Sequence, residues 1–354
     1  MQSSFRFIKA LKRQPVDCTP VWFMRQAGRY LPEYRAIREK VGGFMGMCKN
    51  PEIACQITLQ PLKRFSLDAA IIFSDILTIP DAMGLGLHFK TNEGPHFERT
   101  VRTKQDVENL PIPDMQSDLG YVSEAVRLTA HEIQHHTPLI GFCGSPWTVA
   151  TYMVEGKSSK HFSTIKNMLY SDPKLLHALL KKITTASALY LEAQIQAGAN
   201  AVMIFDSWGG ALEYNSYLQF SLPYMQEIVT HLKTKPSTKD TPIILFTKNG
   251  GQYLEHIAQT GCAAIGIDWT VDIAQARSRV GHLVALQGNL DPCVLTANPE
   301  NIVREVKSVL DRYGKGSGHI FNLGHGITPD INPDNVQVMI DTIKQYSPSF
   351  HSKE

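Results

Sequence analysis

The chain reads as an α/β protein, a single (β/α)8 TIM barrel over residues 1–354 with extended loops after its second and third strands. Two observations predict this. Apolar runs of about five residues recur eight times, each continuous rather than alternating, as in strands buried on both faces of a parallel sheet. Stretches with helical periodicity lie between them, and strands alternating with helices close into a barrel. The length agrees, since such barrels run past 200 residues as one domain.

The elements follow in order. Residues 1–18 are basic and amphipathic without an apolar h-region, so they read as a short helical segment packed on the body and not as a secretory signal. The first strand is PVWFM from Pro20, opening on a proline, which a strand accepts at its first position. AAIIF from Ala69, PLIGF from Pro138 and AVMIF from Ala201 come next. PIILF from Pro242, AAIGI from Ala263, HLVAL from His282 and HIFNL from His319 complete the eight. Helices are expected over Pro51–Phe65, Tyr121–His136, Lys174–Ala197, Tyr214–Lys233, Gln252–Gln259, Asp272–Val280, Asn301–Tyr313 and Asp334–Tyr346. NPEN and NPDN before the last two carry a capping Asn, a Pro at the first turn and an acid beside it. The loop after the second strand, LGLHFKTNEGPHFERTV, reads as a hairpin around Asn92 to Pro95. Residues 347–354 read as a frayed C-terminus.

Composition excludes several functions. Thirty-five Lys plus Arg against 33 Asp plus Glu leave +2, which gives no bulk field for nucleic acid or an anionic membrane. No apolar run reaches the ~18–20 residues of a membrane span. Six cysteines without a C-x-x-C pair read as reduced thiols in a cytoplasmic protein. A doubly wound dinucleotide sheet needs G-x-G-x-x-G between a strand and a helix. GLGLHF lacks the third glycine and lies in the hairpin, and no GxxxxGK[ST] occurs.

Chemistry in such barrels sits where strands end. The first ends at Arg25, followed by Arg29, Arg35 and Arg38; the second ends FSD, giving Asp75. The third gives GSPWT and then Tyr152; the fourth ends FDSWGG, giving Asp206 and Ser207. TKNGG, DWT and QGNLDP follow the next three, and the last ends GHG, giving His325. Polar residues at every end describe a lined pocket. Arginine forks bind carboxylates or phosphates bidentately, and Arg25 directly follows an apolar run. Arg35 reads as part of a solvated helix face. Asp75 reads either as a cap for the next turn or as a carboxylate facing the mouth, kept ionised by nearby arginines. His131-Glu132-x-x-His135 matches the zinc-protease pattern, but both histidines fall opposite the apolar stripe Val122, Val126, Thr129 and Ile133. It reads as a solvated face, and no metal site is expected.

PVWFMRQAGRYLPEYR, GFCGSPWTVATYMVEG, IIFSDIL, FDSWGG, GIDW, QGNLDP and FNLGHGI together resemble the uroporphyrinogen decarboxylase family, over roughly Phe5 to Tyr346. The resemblance implies a cofactor-free carboxy-lyase on a (β/α)8 barrel. Its substrate would be uroporphyrinogen III, which loses CO2 from four acetate arms to give coproporphyrinogen III. It implies that Arg25, Arg29 and Arg38 meet substrate carboxylates and that Asp75 faces the pyrrole N–H groups, with Tyr152, Ser207 and His325 completing the site. It also implies a homodimer with facing mouths. Two other readings stay open on the residues: a zinc-dependent corrinoid methyltransferase of similar fold, and a non-catalytic tetrapyrrole-binding barrel. The fifth strand ends FTKNGG, without the His or Cys a thiolate-binding zinc needs.

Overall fold

A computed structural model describes residues 5–90, 93–134 and 136–351. Seven parallel strands form one curled sheet: β1 (Ala70–Ile71), β4 (Leu139–Gly144), β5 (Ala201–Asp206), β6 (Ile243–Thr247), β7 (Ala264–Gly266), β8 (Ala285–Gln287) and β9 (His319–Ile320), in that spatial order. Between β1 and β4, β2 (Leu87–Lys90) and β3 (Gly94–Phe97) make the expected antiparallel hairpin; Thr91 and Asn92, in its turn, lie outside the described residues.

Side chains along the strands alternate between two apolar clusters, as a period of two requires. Val202 and Ile204 join the cluster under the helices; Ala201 and Met203 join the one inside the curl. Phe205 bridges Phe142 and Phe246 inside, with ring centroids 5.6 and 6.2 Å apart. Fully burying one such ring is worth about 1.5–3 kcal/mol, so this layer holds the sheet curled and supports the strand ends above it.

The helices begin where their caps say. The side chains of Asn50, Asn298 and Asn332 accept from the backbone N–H groups of Ile53, Asn301 and Asp334, each with a proline in the first turn. The helix expected over Tyr214–Lys233 is two, Tyr214–Phe220 and Leu222–Thr234. Pro223 has no N–H to donate back into the preceding turn, so the first helix stops ahead of it. The one expected over Gln252–Gln259 starts as a 3₁₀ turn and runs only Leu254–Ala258.

The first predicted strand is not one. Val21 forms a lone parallel bridge to Phe321. Trp22 N donates to Phe321 O and Phe321 N to Pro20 O, so the segment lies along β9. On its other side Asp68 N donates to Val21 O, but Val21 N donates to the Asp68 carboxylate (2.9 Å) instead of a neighbouring strand. Pro20 has no N–H, and a side chain takes the next donor, so no ladder forms. The carboxylate also holds Arg6 at 2.6 Å, tying the N-terminal helix Arg6–Leu11 to this seam. At the opposite terminus, Ser347–Phe350 is a 3₁₀ turn; of residues 347–354, expected to fray, 352–354 lie outside the described residues.

Candidate active site

Asp75 stands four residues beyond β1. Phe73 N donates to Thr58 Oγ1 (2.9 Å), which fixes the chain just before it. Leu77 N donates to Asp75 Oδ1 (2.8 Å), so one oxygen does cap the next turn. The cap reading therefore holds, and the carboxylate has a second oxygen beyond it. Burial pushes the carboxyl up from 3.8 to about 6, against the Leu77 N–H and the charge of Arg25. This corrects the expectation that arginines dominate its ionisation: burial does, and only Arg25 contributes.

Arg25 follows buried Met24, yet its own side chain is exposed. Its φ of 63° is left-handed, a conformation rare outside glycine. Its neighbours hold it there: Met24 N donates to Asn322 Oδ1 (3.2 Å), Ile327 N to Met24 O (3.1 Å). Gly326 lies beneath the side chain; a Cβ there would come within 2.5 Å of Arg25 Cδ. His325 is the next residue back, its ring 6.0 Å from Phe246 of β6. Burial, with the charges of Arg25 and Lys248, lowers its imidazole to about 4, so at neutral pH it is an uncharged ring.

Tyr152 comes from the helix Pro146–Glu155, capped by Ser145, whose Oγ accepts from Thr148 N. Burial raises its phenol, and Asp75 and Arg25 both act on it. The indole Nε1 of Trp208 is close enough to oppose that rise, yet it is buried without a hydrogen-bond partner. Asp75, Tyr152 and His325 are thus each under the charge of Arg25.

Arg29 and Arg38 make a second group. Both pull down the phenol of Tyr34, which burial raises. Tyr34 packs on Phe73 at 5.8 Å, two residues before Asp75, and links the groups. Arg35 is exposed as expected, but it is not idle: Nη1 donates to Arg29 O (2.8 Å) and Tyr30 O (3.2 Å). Ser207 is half-buried just past β5, and no contact joins it to the other candidates. Asp206, adjacent, is 0% exposed and accepts from four hydroxyls, so it does not face the mouth.

Sequence reasoning missed Cys48 and Lys248 as neighbours. Cys48 is buried within reach of the Asp75 charge. Lys248, half-buried past β6, acts on His325 and lies 5.8 Å from the Trp269 ring. Its place right after an apolar run was the available signal.

The His131 side chain is 76% exposed, its Nδ1 3.9 Å from Glu132; His135 lies outside the described residues. Among the described residues no three His, Cys, Asp or Glu side chains are placed to hold a metal ion. His131→Ala should shift stability by no more than about 0.5 kcal/mol, as surface changes do, with turnover unchanged; thermal melts and a rate assay check it.

The chain matches the family described as uroporphyrinogen decarboxylase over residues 2–346. It is 60% identical over 346 residues to uroporphyrinogen decarboxylase from Actinobacillus pleuropneumoniae, covering 98% of each chain. The protein of that name from Hahella chejuensis is also 60% identical, covering 98% of this chain and 97% of that one. The chain belongs to the uroporphyrinogen decarboxylase family. In fold it is similar to a methyltransferase from Methanosarcina mazei, with TM-score 0.81 and 22% identity, covering 96% of this chain and 98% of that one. This likeness speaks to the fold alone, a curled α/β sheet. No helix among the described residues is long and apolar enough to cross a membrane.

Within a uroporphyrinogen decarboxylase framework Arg29 and Arg38 can be told from Arg35 experimentally. A charge-assisted hydrogen bond is worth roughly 1.5–3 kcal/mol, or 10- to 150-fold in binding. Arg29→Ala and Arg38→Ala should each weaken substrate binding over that range. Arg35→Ala should do less, acting only through the backbone turn it clips. Titration with substrate checks the order.

Proposed function

We propose that this chain is a working uroporphyrinogen decarboxylase, a carboxy-lyase of porphyrin and heme biosynthesis. It removes CO2 from the four acetate side chains of uroporphyrinogen III to give coproporphyrinogen III, without a cofactor. The observation that carries the reading is half-buried Asp75 within reach of the Arg25 charge, just past the apolar runs, with Tyr152 and uncharged His325 under the same charge.

The chemistry asks for such a set. Each acetate loses CO2 only if its bonding electrons have somewhere to go. A pyrrole protonated at ring carbon is that sink: the C–C bond breaks, its pair neutralises the ring, the methylene gains a proton to become methyl, and the ring carbon gives its own proton back as the pyrrole rearomatises. One proton is consumed per CO2 released. The Asp75 carboxylate accepts pyrrole N–H groups and stabilises the cationic ring by charge. Arg25, Arg29 and Arg38 bind substrate carboxylates. The neutral His325 ring donates one N–H to a carboxylate, and Tyr152 and Ser207 add hydroxyls. Arginine stays charged in proteins, so a proton delivered past Arg25 travels through water.

The segment from Pro20 closes the curl in the place of an eighth strand, though without a ladder, its seam held through Val21 and the Asp68 carboxylate, giving a single (β/α)8 barrel over 1–354. The longest excursions from it are the loops after the second and third strands. The enzyme works in the cytoplasm as a homodimer with no nucleic-acid partner.

The test is anaerobic incubation of chelator-treated, small-molecule-free protein with uroporphyrinogen. Coproporphyrinogen is the expected product. Activity restored only by zinc or a nucleotide would overturn the cofactor-free reading; no product under any addition would favour a tetrapyrrole-binding barrel.

A further inference from the structure

The end of β5 carries a buried carboxylate that no step of the decarboxylation uses. Asp206 Oδ1 accepts from Ser145 Oγ (2.6 Å) and Thr148 Oγ1 (3.0 Å). Oδ2 accepts from Ser221 Oγ (2.8 Å) and Thr247 Oγ1 (3.3 Å). The four hydroxyls come from four places: the cap of the Tyr152 helix, its first turn, the break between the helices flanking Ser221, and the end of β6. A carboxylate is acceptor-only with about four lone-pair sites, so it satisfies four donors at once, and bonds to an ion are roughly twice as strong as neutral ones. An asparagine has one acceptor oxygen and two donors of its own, which do not match this set.

The network leads toward the mouth. Thr148 Oγ1, while donating to Asp206, accepts from Trp208 N (3.1 Å), which fixes the peptide after Ser207. Trp147 Nε1 donates to Trp208 O (3.0 Å), locking that residue to the same helix. The Trp208 indole then stands beside the Tyr152 hydroxyl, one helical turn beyond Thr148. Gly209 leaves the room required: a Cβ there would lie 1.9 Å from Asp206 Oδ2.

We propose that Asp206 is a positioning residue, which by gathering Ser145, Thr148, Ser221 and Thr247 sets the Tyr152 side chain and the Ser207 peptide for the reaction. The inference rests on the reading of Tyr152 and Ser207 as parts of the active site. Misplacement of a reacting group by about 1 Å can cost on the order of 100-fold in rate, so remote clasps of this kind act on turnover.

Asp206→Asn should lower kcat, but it disturbs four bonds and can unfold the chain. Thr148→Val is therefore the decisive variant, because it keeps the shape of the side chain and cuts the link between Asp206 and Trp208. With uroporphyrinogen as substrate and folding confirmed by near-UV circular dichroism, its kcat should fall roughly 10- to 100-fold, and kcat/KM with it. Thr148→Ser, which retains the hydroxyl, should restore most of the rate. The double variant Thr148→Val with Tyr152→Phe should lose less than the product of the two single losses, since part of the Thr148 effect runs through Tyr152. Wild-type kcat in Thr148→Val beside an impaired Tyr152→Phe would overturn the proposal, as would losses that multiply in the double variant. Tyr152→Phe at the wild-type rate would overturn the site reading itself, and this inference with it.

Discussion

Asp75→Asn should cut kcat by roughly 10²–10³ while leaving the fold intact or more stable. Charge stabilisation aimed at a transition state is commonly worth ~2.7–4 kcal/mol per group, and Asn removes the charge. Its amide oxygen can still accept from Leu77 N, so the cap survives. The stability effect has a definite sign. Because the folded carboxyl titrates near 6 instead of 3.8, the folded state binds more protons than the unfolded chain between those values. Stability contributed by this group therefore falls as pH rises through that window and stays reduced above it. At ~1.36 kcal/mol per pH unit, Asn relieves up to a few kcal/mol at pH 7. A slow enzyme that melts at or above the wild-type temperature is the expected pair of results; a wild-type kcat would reduce Asp75 to a cap. The same titration sets the pH profile: kcat/KM of the wild type should fall below about pH 6, as Asp75 takes a proton. Asp75→Glu should fail too, its added methylene occupying substrate space.

Arg25→Ala should be comparably damaging, losing a carboxylate ligand and a charge that acts on three neighbours. Arg25 holds Asp75 down, so the acid limb of kcat/KM should move to higher pH in the variant. Arg25 also depresses His325, so that imidazole should titrate above about 4, readable by proton NMR. Gly326→Ala supplies a gentler version. Its Cβ, built 2.5 Å from Arg25 Cδ and 2.9 Å from Nε, forces the guanidinium chain aside without removing it. The expected result is a folded protein with a loss of activity in the direction of Arg25→Ala. Equal activity in Gly326→Ala and wild type would show that Arg25 works from another rotamer.

Seven strands were legible because each is continuous and apolar, a pattern that only a sheet covered on both faces tolerates. Arg25, Asp75 and His325 stood out as candidates for a related reason: each is a charged or titratable residue just past such a run. The segment from Pro20 misled because its composition is that of a strand while its hydrogen bonds are not. Val21 gives its N–H to Asp68, a residue 47 positions on, and no local pattern announces that. Asp206 misled in the opposite direction. It occupies a mouth position in the sequence, but Ser145, Thr148, Ser221 and Thr247 reach it from segments up to 61 residues away and close it off. The split near Ser221 was visible in Pro223 and was outweighed by the periodicity around it.

The seam at Val21 has a bearing on how the molecule loses function. Proteins open locally at free energies well below that of global unfolding, and segments without a full ladder open first. Here the segment without a ladder runs directly into Arg25, and its partner strand β9 leads to His325. The core ladder β4–β5–β6, by contrast, carries the clasped end at Asp206. Gentle warming therefore disorganises the arginine side of the mouth while the Tyr152 side and most of the secondary structure persist. Inactivation is therefore expected to precede melting and to reverse on cooling, which activity and circular dichroism followed together through a heating cycle would check.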